Sequence, residues 1–250
     1  MPTPFMHLAA AVSLFDDPAL DASHRAAINA HPGAFLLGNI APDARYTGGV
    51  SRAATHFHRC NGALWSRAWV QMLHRYPALR HNKQNTARSS FVAGYIAHLA
   101  MDITFCQRIS YPYMLCHDDL QKRMGAHWRQ QVLLIWLDAR AYAVLPAEMG
   151  HTLATTTPQD WLPFLPDDTL ADWRDLIAGQ MPPDGHSQTL DLMATRASSD
   201  PAWIADIITD PAQMANRIWA HIPRDVVEQT ETEMVSHAQQ AIARFFEDDI

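Results

Sequence analysis

Cysteine is scarce in this chain and poorly placed for cross-linking: Cys60, Cys106 and Cys116 are the only three in 250 residues, with no CxxC pair. So odd and dispersed a set argues against a disulfide framework or a thiolate zinc site, and favours reduced, structural thiols. Charge is thin as well. Charged residues make up 18% of the chain, and the net charge is −7. That balance argues against a broad basic surface for duplex nucleic acid, while leaving room for a small positive pocket around one phosphate. No apolar run approaches the ~18 residues of a membrane span. The apolar start from Phe5 to Phe15 is broken by His7 and Ser13, and no basic leader precedes it. A transmembrane segment and a secretory signal are therefore not expected, and the cytoplasm is the default location. Valine is sparse and no period-2 alternation appears, so no strand is expected.

What is abundant is apolar residues at helical spacing. Nearly half the chain, 48%, is hydrophobic, enough for a substantial core. The period predicts helices near residues 5–15, 23–30, 59–75, 88–109, 126–144, 166–180, 186–197, 201–208, 211–220 and 224–247. Ser89 and Ser90 are candidate caps for the fourth of these, and Asp167 and Asp168 sit at the positive end of the sixth. The connectors "TTTPQDWLPFLPDD" and "MPPDGHSQ" are too short and too apolar for flexible linkers. The expectation is one all-α domain, a multi-helix bundle over residues 1–250.

Histidine is plentiful at fourteen. His24, His31, His74, His81, His151, His186, His221 and His237 lie in polar contexts and read as surface residues. The stretch "FVAGYIAHLAMDITF" differs, placing His98 and Asp102 one helical turn apart in an oily, small-residue run. A buried carboxylate needs a cation or several donors. A His–Asp hydrogen bond between helices would satisfy it; so would a metal ion. Three other stretches add to the pair: His7 in "PFMHLAAAV", Asp43 after the apolar run of "LLGNIAPDAR", and His56 and His58 in "ATHFHR". Imidazole and carboxylate without thiolate suit zinc, and also manganese or iron. At a spacing of two, His58 diverges from His56 in a strand or a helix and reads as a support behind the ligands or as a structural residue.

Taken in order, "MPTPFMHLAAAV", "FLLGNIAPDAR", "THFH", "FVAGYIAHLAMD", "YPYM" and "LIWLDAR" resemble the zinc-dependent phospholipase C family, within the superfamily it shares with single-strand-specific zinc nucleases. The likeness covers residues 1–145; residues 146–250 share only helicity and tryptophan. The resemblance implies a helical bundle with a zinc cluster at the foot of a cleft. One ion would be held by the chain terminus at Met1 or Pro2, His7 and Asp102. A second would be held by Asp43, His56 and His98, with Asp102 bridging and Asp43 activating the attacking water. Relatives with a third ion carry another His and a second His-x-x-x-carboxylate pair. Here Arg108 stands ten residues past His98, and His127 is followed by Gln131 rather than an acid, with His117 and Asp118 as weak substitutes. Two zinc ions are the expectation.

The activity implied is hydrolysis of a phosphate ester or phospholipid head group, two bridged cations being suited to phosphoryl chemistry. Arg45 and Arg108 are candidate phosphate contacts. "YPYM" and "WLPFL" read as core before they read as a lipid groove. Two other functions fit parts of the pattern. An iron oxidoreductase would need an ExxH pair, which the helices bearing these residues lack. A non-catalytic protein could keep a structural zinc.

Overall fold

Residues 1–58, 60, 68–116, 120–181 and 184–249 are described by the structure, a computed structural model. In chain order the helices are α1 (Pro4–Phe15), α2 (Ala22–Asn29), α3 (Pro32–Ile40), α4 (Arg45–Gly48), α5 (Arg52–His56), α6 (Ala68–Arg75) and α7 (Thr86–Phe105). They continue as α8 (Leu120–Ala143), α9 (Met149–Ala154), α10 (Asp167–Ala178), α11 (Thr189–Arg196), α12 (Pro201–Thr209), α13 (Pro211–Met214) and α14 (Arg224–Phe246). Among the described residues there is no strand, and the expected all-α class is what the chain adopts.

The central element is α7, buried along almost its whole length, with α1, α3 and α14 packed around it. Its cap is Asn85, whose side chain accepts from the Arg88 amide at 3.0 Å. Ser89 and Ser90 are not the caps: Ser89 bonds the backbone of Asn82, and Ser90 donates to the carbonyls of Ile28 and His31. Beyond Phe105 the chain continues as a π-helix, Cys106–Leu115, with Pro112 inside it. A proline has no amide to give, so the backbone relaxes its pairing there. The run Thr86–Leu115 is long and apolar enough to cross a membrane by composition, but 94% of its most apolar window is buried in the protein. Its oiliness serves the core.

The periodicity predicts no helix over α3, for a physical reason. Its sequence PGAFLLGNI is buried on every side, from Gly33 to Ile40, so no polar face marks the 3.6 period. Two glycines let it lie against α7. A methyl on Gly38 would come 2.0 Å from the Phe91 carbonyl oxygen, and one on Gly94 2.2 Å from that of Phe35. The two backbones interlock at positions that only glycine can fill.

The core joins Phe5 and Leu8 of α1 to Phe91 of α7 and to Ile242 and Phe245 of α14. Trp161 belongs to it too, its ring tilted against that of Phe91 with centroids 4.9 Å apart. Two expectations need correction. Cys60 and Cys106 form a disulfide that ties the segment after α5 to the end of α7; a sequence separation of 46 gives no hint of their proximity. The expectation of reduced thiols therefore fails for Cys60 and Cys106 and holds for Cys116, which is free. His24 is buried against Phe246 of α14, a partner its local context does not reveal.

Candidate metal centre

Helix α7 presents His98 and Asp102 one above the other, as the four-residue spacing requires. Every other group at the site arrives from a different element. His7 comes from α1, and its ring stacks on that of His98 at 3.7 Å. Asp43 comes from the 3₁₀ turn Ala41–Ala44 that follows α3. His56 ends α5. Phe57 then takes a left-handed conformation, φ 56°, which turns the chain back on itself. His58 therefore faces the site, with Nε2 3.9 Å from Asp102 Oδ2. The expected divergence assumed a helix or a strand, and the chain is neither.

The two oxygens of Asp102 face different partners. Oδ1 lies 3.5 Å from His7 Nε2. Oδ2 lies 3.4 Å from His56 Nε2 and 3.8 Å from His98 Nε2. Asp43 Oδ1 sits 3.5 Å from His56 Nε2. Two overlapping sets of ligand atoms result, His7–His98–Asp102 and Asp43–His56–His98, each within 4.8 Å of one another.

The imidazoles are oriented from behind. His98 Nδ1 donates to the Asn39 carbonyl at 2.7 Å. A carbonyl only accepts, so Nδ1 carries the proton and Nε2 offers its lone pair inward. Thr55 donates its hydroxyl to the Arg52 carbonyl, which lets Oγ1 accept from His56 Nδ1 at 2.9 Å. Tyr95 donates to the Thr55 carbonyl at 2.6 Å and braces that turn. His7 Nε2, His98 Nε2 and Asp102 Oδ1 are left buried without a hydrogen bond. In an apolar interior such atoms are costly unless something positive sits among them. This donor set, all nitrogen and oxygen, fits zinc.

Electrostatics point the same way. Burial opposes ionisation of Asp102, yet His98, His7, Arg52 and His56 hold its carboxyl well below the usual range. Burial likewise opposes ionisation of Asp43, but contact with His56 and the field of His98 bring its pKa down to about 2. Burial, followed by the adjacent His7, pushes His98 down to about 3. Both carboxylates are thus charged and His98 neutral at pH 7, the forms that bind metal. The chain-terminal amine of Met1 is buried within the field of Asp102 and Asp43, and burial lowers its pKa too.

The sequence reading missed Arg52. Its Nη2 lies 2.6 Å from Asp102 Oδ2, and its position four residues before His56 on one helix face was the available signal. Arg108, a candidate phosphate contact, is turned away and paired with Glu233 of α14 at 2.9 Å. His127 is exposed on α8 beside Gln131 and joins neither ligand set. His117 and Asp118 lie outside the described residues.

A cavity of about 370 Å³ opens onto the cluster through Asp43, His56, Arg52 and Met1. Its far wall comes from α10 and α11, including Trp173 and Leu192. A family model described as zinc dependent phospholipase C matches residues 4–129. No curated protein and no solved structure matches the chain.

Proposed function

The chain belongs to the zinc-dependent phospholipase C family, and on that footing we propose that it hydrolyses a phosphodiester or phosphomonoester at a centre of two zinc ions. One ion is assigned to His7, Asp102 and the Met1 terminus, the other to Asp43, His56 and His98, with Asp102 shared. The observation behind this reading is the division of labour at Asp102, whose oxygens face His7 on one side and His56 and His98 on the other. Zinc, when bound there, supplies a Lewis acid for phosphoryl oxygens and a water acidified towards neutral pH.

The protein's own groups do the rest. Asn39 and Thr55 hold the tautomers of His98 and His56. Arg52 fixes the Asp102 carboxylate. Asp43 takes the proton of the attacking water, because it alone of the five side chains both lines the cavity and is partly exposed, at 14%. With a pKa of about 2 it is a weak base, so the transfer depends on the water's own acidity.

The substrate's phosphate enters from the cavity, and its class is a small phosphate ester or a phospholipid head group. Elemental analysis of protein purified without a histidine tag, with turnover of bis(4-nitrophenyl) phosphate in the same samples, tests the proposal. About two zinc equivalents with turnover support it. Zinc without turnover leaves a structural metal, and iron in place of zinc removes the hydrolase reading.

A further inference from the structure

The cavity beside the cluster has an unusual charge for so acidic a protein. Three arginines line it, Arg45, Arg52 and Arg196, against one acidic side chain among the described residues, Asp43, which belongs to the cluster. The wall also carries neutral amides, Gln131 and Gln180 among them. Arg45 and Arg196 both approach the ring of Tyr46, with guanidinium carbons 4.0 and 5.6 Å from its centre. Neither is paired with a carboxylate among the described residues, and the buried Nε of Arg45 has no hydrogen-bond partner. Arg52 and Arg196 line the same cavity as the Met1 terminus, beside Asp43 and His56 of the cluster.

The remaining wall is apolar. Trp173 is buried in it, while Leu176 and Leu192 are large side chains left 45% and 57% exposed. Quaternary ammonium groups are recognised by open aromatic faces and carboxylates. This cavity has no spare carboxylate, and two guanidiniums already attend the Tyr46 ring.

We propose that the cavity selects a phosphate ester with a second anionic group on the side facing Arg45 and Arg196 and an apolar substituent against α10 and α11, and that it rejects a cationic head group. The inference rests on the hydrolase reading for the position of the scissile phosphate. It gives residues 146–250 a role, since α10 and α11 form the specificity wall and lie outside the part matched by the family model. Positive charge gathered on the wall of a cavity also raises the local concentration of an anionic substrate.

Calorimetry on the full-length, zinc-loaded protein tests this with hydrolysis-resistant phosphonate diesters. One carries a dihexanoyl arm and a choline group. The second has a carboxylate in place of the trimethylammonium, and the third keeps that carboxylate but replaces the acyl arm by methyl. At 0.1 M salt the carboxylate diester should bind about tenfold more tightly than the choline diester, and the methyl version about tenfold more weakly than its acylated parent. Arg196→Gln should shrink the preference for carboxylate by roughly fivefold, with zinc content read alongside as the check on the fold. Equal binding of the two head groups, or a choline preference, overturns the proposal. So does an Arg196→Gln variant that weakens both ligands alike. A methyl diester that binds as well as its parent refutes the apolar wall. Failure of the zinc-loaded protein to turn over bis(4-nitrophenyl) phosphate would remove the hydrolase reading, while a charge preference in calorimetry would still stand as a ligand specificity.

Discussion

Replacing Asp102 by asparagine keeps the shape of the side chain and removes its charge, and the geometry fixes what should follow. In zinc-free protein the principal loss is the partner of Arg52, 2.6 Å from Oδ2, with Asp102 wholly buried and Arg52 28% exposed. Breaking a fully buried pair from one side costs about 3–5 kcal/mol. Arg52 keeps some contact with water, so the cost here is about 2–3 kcal/mol. For a chain of this length, that lowers the thermal midpoint by roughly 4–12 °C. Zinc adds a second effect. At a hundredfold excess over its dissociation constant, a native-state ligand stabilises by about 2.7 kcal/mol. An amide oxygen carries no net charge and cannot bridge two cations as a carboxylate does. Melting curves of wild type and Asp102→Asn, each with and without zinc, separate the terms. The variant should melt lower without zinc, gain almost nothing from zinc, and purify with well under half the wild-type metal. A variant that keeps full zinc content and the full zinc-induced rise would refute Asp102 as the shared ligand.

Asp43→Asn should keep the fold, because the amide fills the same space and Asp43 is partly exposed at the cavity wall, but cut kcat for bis(4-nitrophenyl) phosphate by about 10²–10⁴; turnover within a factor of two of wild type would remove it from the proton-transfer step. Asp138 on α8 offers a pH test away from the cluster. Burial raises its pKa above 3.8, although Ser187 donates to one of its oxygens and the neighbouring Thr3 and Thr189 act against the rise. The folded state therefore binds its proton more tightly than the unfolded chain, and stability falls as pH rises from 3.8 through the folded value. Asp138→Asn should abolish that part of the slope, read as the difference between urea-unfolding free energies of the two proteins across pH 4–7. Superimposable slopes would count against the assignment.

Where the sequence was legible, it was legible through periodicity and through chemistry out of place. Helix α14 shows its 3.6 period, α7 is legible as a long apolar run without strand alternation, and His98 and Asp102 stand out because an oily helix has no use for an imidazole and a carboxylate. His7 and His56 were visible as polar residues in apolar or clustered settings. The rest was hidden for identifiable reasons. Helix α3 is buried on every face, so it has no amphipathic signal, and α4, α5 and α9 are too short to show a period. The orientation of His58 is hidden because it depends on one left-handed residue, Phe57, where any side chain can appear at some cost. Arg52 was overlooked because an arginine on a short helix looks like any surface arginine until its carboxylate is found fifty positions away. The Cys60–Cys106 bridge and the Arg45–Tyr46–Arg196 group are products of tertiary folding alone, and no spacing rule reports them.

Helix α3 has no side chain among the ligands, yet the site depends on it. Its close approach to α7 through Gly38 and Gly94 brings the Asn39 carbonyl to 2.7 Å from His98 Nδ1, and that single bond decides which nitrogen of His98 faces inward. The same helix then hands the chain to the turn bearing Asp43, so one rigid contact sets both a tautomer and a carboxylate position. Asn39 is itself held by its amide nitrogen donating to the Phe35 carbonyl at 2.9 Å, the carbonyl that crowds Gly94. Packing of this kind has discrete solutions and little slack. The glycines therefore act on the chemistry as much as on the fold: a helix pair held even 1 Å further apart would leave His98 without its acceptor and free to present the wrong nitrogen.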